Sequence, residues 1–329
     1  MPTVNRRYKI IRRLLPLIGV VVLLYILTQL DLPAVARIFA ALNPWYCTLA
    51  CFSVVPILLL ANIEWQLLLK HQGIHVSFRF SMKNILIGFF YGFITPGGVG
   101  GYLQTIYLKQ ESKEPLPKCA SNLLTLHTID LITLLGLAVL GGALLIGRFP
   151  LLFVIFVALF VFTVVLFFFY LSKEASLPVF QRLLKTRVLQ FVQNQFEDPL
   201  DSFFEQLPSF RAVVLPFVLS ILGWFVSFSE LYLISGLFHI DVPYLPFILI
   251  IAMANVVALL PISIYGLGTR EVTLISLFSL FIVPSEQIVS MSLFWFAVVW
   301  LLPSIVGAFM TFHEHKKLGS LRPHENSDV

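Results

Sequence analysis

Residues 243–283 read PYLPFILIIAMANVVALLPISIYGLGTREVTLISLFSLFIV. Two apolar limbs, 245–260 and 272–283, flank the break PISIYGLGTRE. Neither limb reaches the ~20 apolar residues that a full membrane span requires. Proline and glycine interrupt the helix, and Arg270 and Glu271 lie between the limbs. Two half-length helices joined by a glycine turn fold as a hairpin. Its non-helical tip is tolerated at membrane depth only if it is buried in protein or lines a wet cavity.

Working outward, a second stretch repeats the design. Residues 84–108 are apolar and broken at TPGGVGG. Each limb has about 12 residues, roughly 18 Å at ~1.5 Å per residue. That is about half of a ~30 Å hydrocarbon core. Pro96 leads to Gly98-Val99-Gly100-Gly101-Tyr102-Leu103-Gln104, and Pro261 leads to Gly266-Leu267-Gly268-Thr269-Arg270-Glu271-Val272. Both read proline, then glycine-aliphatic-glycine, then a new helix, 168 positions apart.

The rest of the 329-residue chain fits the same solvent. Hydrophobic residues make up 58% and charged residues 12%, against roughly 25% charge in soluble domains. A water-soluble enzyme and a disordered chain are both excluded. Unbroken apolar spans are expected at Leu14–Leu30, Tyr46–Leu69, Cys119–Gly147, from about 151 to Leu171, at Ala212–Leu237 and at about Ile288–Phe312. Leu14–Leu30 is long for a signal peptide and no cleavage site follows, so it reads as an uncleaved span. Residues 31–44 suit a short interfacial helix. The basic N-terminus, 1–13, is expected to be cytoplasmic. Counting from there, six full spans and two re-entrant hairpins, 84–108 and 243–283, put the basic 70–83 loop, the polar segment 172–210 and the tail 313–329 on the cytoplasmic side. The hairpins then enter from opposite faces, as in an inverted-repeat transporter. The fold class expected is an all-α polytopic protein of the cytoplasmic membrane, a single integral domain with both termini cytoplasmic. Eight conventional spans are the alternative.

Ionisable residues inside membrane segments are costly and point to function. Arg270 and Glu271 are the first candidates. Gly266 and Gly268 let backbone N–H groups approach a ligand. The helix starting at Thr269 turns its positive end toward mid-depth, which suits a phosphate. The first break offers Gly98, Gly100 and Gly101 with Thr95, Tyr102 and Gln104 as polar handles. Asn122, His127, Asp130 and Thr133 fall within an arc of about 140° on one helix. Ser220, Gly223, Ser227 and Glu230 share a narrow face of another. Glu64, near the end of its span beside Trp65 and Lys70, reads as an interfacial anchor. The bland alternatives are buried charge pairs that pin a hairpin and glycines that only allow close packing.

No P-loop, GxSxG, HExxH or CxxC pattern occurs, so neither a cofactor nor a metal is expected. Basic residues sit at membrane edges, where they suit anionic or phosphate-containing lipids rather than nucleic acid.

With TPGGVGG, the mid-span Asp130 in LHTID and above all PISIYGLGTRE in hand, the chain resembles the lysylphosphatidylglycerol synthase transmembrane region family over roughly residues 10–312. Gly101 and Gln104 stand where family members often carry an acidic residue and an arginine. The resemblance implies a flippase-like membrane protein. In fused members this region moves an aminoacylated phospholipid made by a separate soluble domain, and others accompany lipid or glycan synthesis. Segment 172–210 is too short for an aminoacyltransferase, so synthase activity is not expected. The expected function is translocation of a phospholipid or polyisoprenyl-phosphate lipid, with a lipid-modifying enzyme as a possible partner. The alternatives are a membrane-embedded enzyme or its accessory subunit, and a transporter of a small solute.

Overall fold

The computed structural model describes Thr28, residues 31–184 and 199–260, Ser263 and residues 266–320. Segment 1–13, the expected first span apart from Thr28, residues 185–198 of the polar segment, four residues of the second break (Pro261, Ile262, Ile264 and Tyr265) and residues 321–329 lie outside the described residues.

Every regular element among the described residues is helical. They are α1 (Leu32–Ala41), α2 (Pro44–His71), α3 (Phe78–Phe93), a 3-10 segment (Pro96–Leu103), α4 (Gln104–Ser112), α5 (Leu116–Leu144), α6 (Pro150–Leu171), α7 (Lys173–Leu184), α8 (Pro199–Phe204), α9 (Phe210–Ser235), α10 (Tyr244–Ala258), α11 (Thr269–Phe278), α12 (Ser285–Phe296) and α13 (Leu302–Ser320). A π-helical turn, Ala297–Leu301, joins α12 to α13. Five helices are long and apolar enough to cross a membrane: α2, α5, α6, α9 and the run Ser285–His313. They coincide with the five expected spans that fall on described residues. The protein is thus a polytopic helical membrane protein.

Local chemistry sets the boundaries. Asn43 caps α2 by accepting from the Trp45 N–H at 2.9 Å, with Pro44 behind it. Lys70 and His71 close the same helix, where positive charge suits the carbonyl end. Ser77 caps α3 by accepting from the Phe80 N–H at 3.2 Å. Asp31 caps α1, which buries none of its residues.

Both broken segments reverse direction. In the first, the Asn84 side chain donates to the Gln104 carbonyl at 3.1 Å, and the Gln104 side chain lies directly over Gly88. The start of α3 (Ser77, Phe78) and the end of α4 (Glu111) line one groove. In the second, Phe247 and Phe278 stack at 5.3 Å at the base. Near the tip, Gly266 packs directly on Ala258. The new helix expected after the first break does not begin directly after Gly101: the chain stays 3-10 through Leu103, and α4 begins at Gln104. Glycine costs about 1 kcal/mol per residue in an α-helix, and Gly97, Gly98, Gly100 and Gly101 crowd this turn.

The halves exchange partners. The first hairpin's α3 packs mainly on α13, the helix that follows the second hairpin. The second hairpin's α10 packs mainly on α5, the helix that follows the first. Each contact turns on one glycine. A Cβ on Gly307 would strike the Leu86 carbonyl, and a Cβ on Gly141 would lie 2.9 Å from the Leu249 carbonyl. Helices α2 and α9, which precede the two hairpins, pack on each other. The weak sequence repeat therefore has a reciprocal counterpart in the packing. The polar segment is tied beneath α5 by Lys118, which donates to Glu114 at 3.0 Å and to Glu205 at 3.2 Å. Within the segment Phe180 meets Phe204 at 5.4 Å, and Tyr170 of α6 meets Phe203 at 5.9 Å.

Candidate functional site

The two hairpin tips lie in different surroundings. At the second, Gly266 and Gly268 take φ of +75° and +88°, conformations that cost side-chain-bearing residues about 1–2 kcal/mol. This lets Thr269 start α11 sharply. The Gly268 N–H donates to Glu271 Oε2 at 2.5 Å. The helix terminus expected to receive a phosphate is therefore filled by the chain's own carboxylate. Arg270 donates through Nη2 to Glu271 Oε1 at 2.9 Å and through Nε to Ser292 Oγ at 3.1 Å. Ser292 Oγ donates in turn to Glu271 Oε1 at 2.6 Å. The guanidinium stacks on Trp295 at 5.3 Å and on Phe296 at 5.6 Å. Arg270 and Glu271 are 1% and 0% exposed. Thr269 Oγ1 donates to the Gly266 carbonyl and meets Ser263 Oγ at 3.1 Å. This tip is a closed ion-pair clamp between α11 and α12.

The first tip is open. A Cβ on Gly98 would meet nothing within 4 Å, and one on Gly101 only the Gly88 carbonyl at 3.6 Å. Gly98 has φ +71°. Val99 is 63% and Tyr102 42% exposed. Gly100 differs: its N–H donates to Thr95 Oγ1 at 2.7 Å and its Cα faces the Tyr91 carbonyl. Gln104 is buried as the staple over Gly88. Gly100 and Gln104 thus hold the hairpin, while Gly98, Gly101 and Tyr102 face outward from it.

Tyr102 meets His127 of α5 edge-on, with ring centroids 5.1 Å apart. One turn further along α5, Asp130 accepts from Ser220 Oγ of α9 at 2.8 Å. The structure thus brings together the two polar stripes read from the sequence. His127, Asp130 and Gly223 are only part-buried although they lie in the middle of long helices, and a Cβ on Gly223 would meet open space. Tyr102, His127, Asp130 and Ser220 therefore form a chain of polar side chains from the first tip across α5 to α9. Glu64 of α2 lies within electrostatic range of Asp130. It is 4% exposed, and its Oε1 has no partner among the described residues. Further along α2, Ser53 Oγ donates to Glu230 Oε1, and Glu230 Oε2 has no partner among the described residues.

Glu64 is therefore a carboxyl buried within the bundle. A signal was available: Ser53 and Glu64 are eleven residues apart, which puts them within about 20° on a helical wheel. Asn122 accepts from the Trp65 indole at 2.8 Å and buttresses α2 against α5. Ser292 carried no comparable signal. It is one serine in an apolar span.

Fold and polar contacts together define a polytopic helical membrane protein with a linked set of polar side chains among its helices. The chain belongs to the lysylphosphatidylglycerol synthase TM region family, whose model matches residues 14–307. It is also similar to a UPF0104 membrane protein of Methanocaldococcus jannaschii, with 22% identity over 318 residues that cover 89% of this chain and 92% of that protein. Both relationships are consistent with a role linked to membrane lipids.

Proposed function

We propose that the protein is a lipid translocator, moving the headgroup of a phospholipid or polyisoprenyl-phosphate lipid across the cytoplasmic membrane while the tails stay in the bilayer. The carrying observation is the polar chain Tyr102–His127–Asp130–Ser220, which runs from the open first tip across α5 to α9 and is set among helices with apolar outer faces. On α9, Val214, Val218 and Leu222 stay exposed, as lipid-facing positions do. A headgroup has a route there that acyl chains do not need.

The roles divide along the geometry. Open backbone at Gly98 and Gly101 lets a phosphate approach. Glu64, Asp130 and Glu230 receive the cationic part of a headgroup or take up protons. Arg270, Glu271, Thr269, Gly266 and Gly268 hold the opposite hairpin rigid and act as positioning residues. In the membrane both hairpins are re-entrant and both termini are cytoplasmic.

The test is reconstitution into vesicles and measurement of headgroup flipping for a panel of labelled lipids. The double variant Glu64→Gln with Asp130→Asn is expected to lose at least tenfold in rate, about 1.4 kcal/mol, with unchanged thermal stability. Failure of the wild type to move any lipid, or full transport by the double variant, would sink the proposal.

A further inference from the structure

A second site lies at the end of the bundle that carries Lys70, Arg79 and Lys83. A groove of about 620 Å³ runs between the end of α2, the start of α3 and the end of α4. That volume falls within the ~300–1,000 Å³ typical of small-ligand sites. One wall is apolar: Ile63 and Leu67 stand on successive turns of α2, with Phe78 opposite. Ile63 and Phe78 are 41% and 44% exposed. The same stripe of α2 continues to Lys70, seven residues or roughly 10 Å beyond Ile63. Across the groove stands Glu111. Lys70 and Glu111 are both exposed, and the ion pairs among the described residues do not join them.

We infer that this groove is a loading site for a zwitterionic phospholipid headgroup, with its phosphate on Lys70, its ammonium group on Glu111 and its glycerol end along Ile63 and Leu67. This inference rests on the lipid-translocation reading. A basic and an acidic side chain that share one groove without pairing match a ligand carrying both charges. A headgroup with phosphate alone would leave Glu111 facing an anion. The apolar wall favours an intact lipid over a free phosphate ester. The site also adjoins the interior: Gln66, which lines the groove, donates to Ser81 at 2.7 Å, and Glu64 stands two residues earlier on α2.

The experiment measures lipid retention by native mass spectrometry on the purified full-length protein, with phosphatidylethanolamine and phosphatidylglycerol in equal amounts. These lipids share the phosphate and differ in the amine. The wild type is expected to retain phosphatidylethanolamine about two- to fivefold more, the range open to an exposed charge pair. Glu111→Gln is expected to abolish the preference, and Glu111→Lys to invert it. Lys70→Gln is expected to weaken both lipids equally. Equal retention by the wild type, or a preference unchanged in Glu111→Gln, overturns the site. Competition by soluble glycerophosphoethanolamine as strong as by the whole lipid overturns the lipid as its occupant. All three substitutions lie at exposed positions, and a melting curve checks their folding. Flipping assays on the same samples separate the two ideas. Transport without a Glu111-dependent preference removes the groove and keeps translocation; the preference without transport does the reverse.

Discussion

The two hairpin tips share a sequence plan and use it oppositely. At the second, Arg270 and Glu271 bond to each other and to Ser292 and leave almost no surface. At the first, the tip itself is uncharged and open, and the nearby charges come from neighbouring helices: Asp130 from α5 and Glu64 from α2. Charge built into a tip closes it. Charge set opposite an open tip leaves room for a guest. The difference teaches that a conspicuous charged motif can be a closed fixture of the fold while a plainer glycine turn stays open.

The sharpest way to break this contrast is Arg270→Ala. It strands Glu271 in the interior and is expected to cost about 3–5 kcal/mol, as breaking a buried ion pair does. Thermal unfolding in detergent measures it, and a wild-type melting point would show the clamp to be dispensable. Replacing both partners, Arg270→Met with Glu271→Gln, should recover part of that loss. Next in size are Gly141→Ala and Gly307→Ala, each driving a methyl group at a carbonyl of the opposite half. Overpacking of this kind costs about 1–3 kcal/mol. Similar losses at the two positions would support reciprocal packing, and a loss at only one would argue against it. Gly98→Ala meets open space but a positive φ, so about 1–2 kcal/mol is expected from backbone strain alone. If the first tip is the working one, flipping should change more in Gly98→Ala than in Gly141→Ala. Smallest is Ser220→Ala, which removes the hydroxyl on Asp130. About 0.6 kcal/mol of stability is expected, with a larger relative fall in transport rate.

Much of the fold was legible because membrane spans are written in apolar length. The five expected spans on described residues match observed helices to within a few residues at each end. The interruption of both short apolar stretches was legible from Pro96, Pro261 and their glycines. The site was legible only in part. Adjacent residues on a helix point about 100° apart and do not normally face each other. Arg270 and Glu271 meet because the helix begins there and Glu271 folds back onto the Gly268 N–H, a fact of tertiary geometry. Glu64 lies close to the end of α2, and its alignment with Ser53 is the sequence feature that matches its burial. Asp130 and Ser220 each stood out on their own helix, and only the packing of α5 against α9 shows that they bond.

The π turn at Ala297–Leu301 has a mechanical consequence. A π segment carries one residue more than the α-helix it interrupts, which changes the rotational phase of everything after it by about 100°. Before the turn, Ser292 and Trp295 face the clamp of the second hairpin. After it, Ser304 donates to the Phe89 carbonyl at 3.1 Å and Gly307 seats the first hairpin. One helix thus works as a shaft keyed at two angles, with a single surplus residue setting the offset. Deleting one residue between Ala297 and Leu301 would leave the second hairpin gripped and turn the shaft away from the first, so this short stretch sets the angle at which the two halves meet.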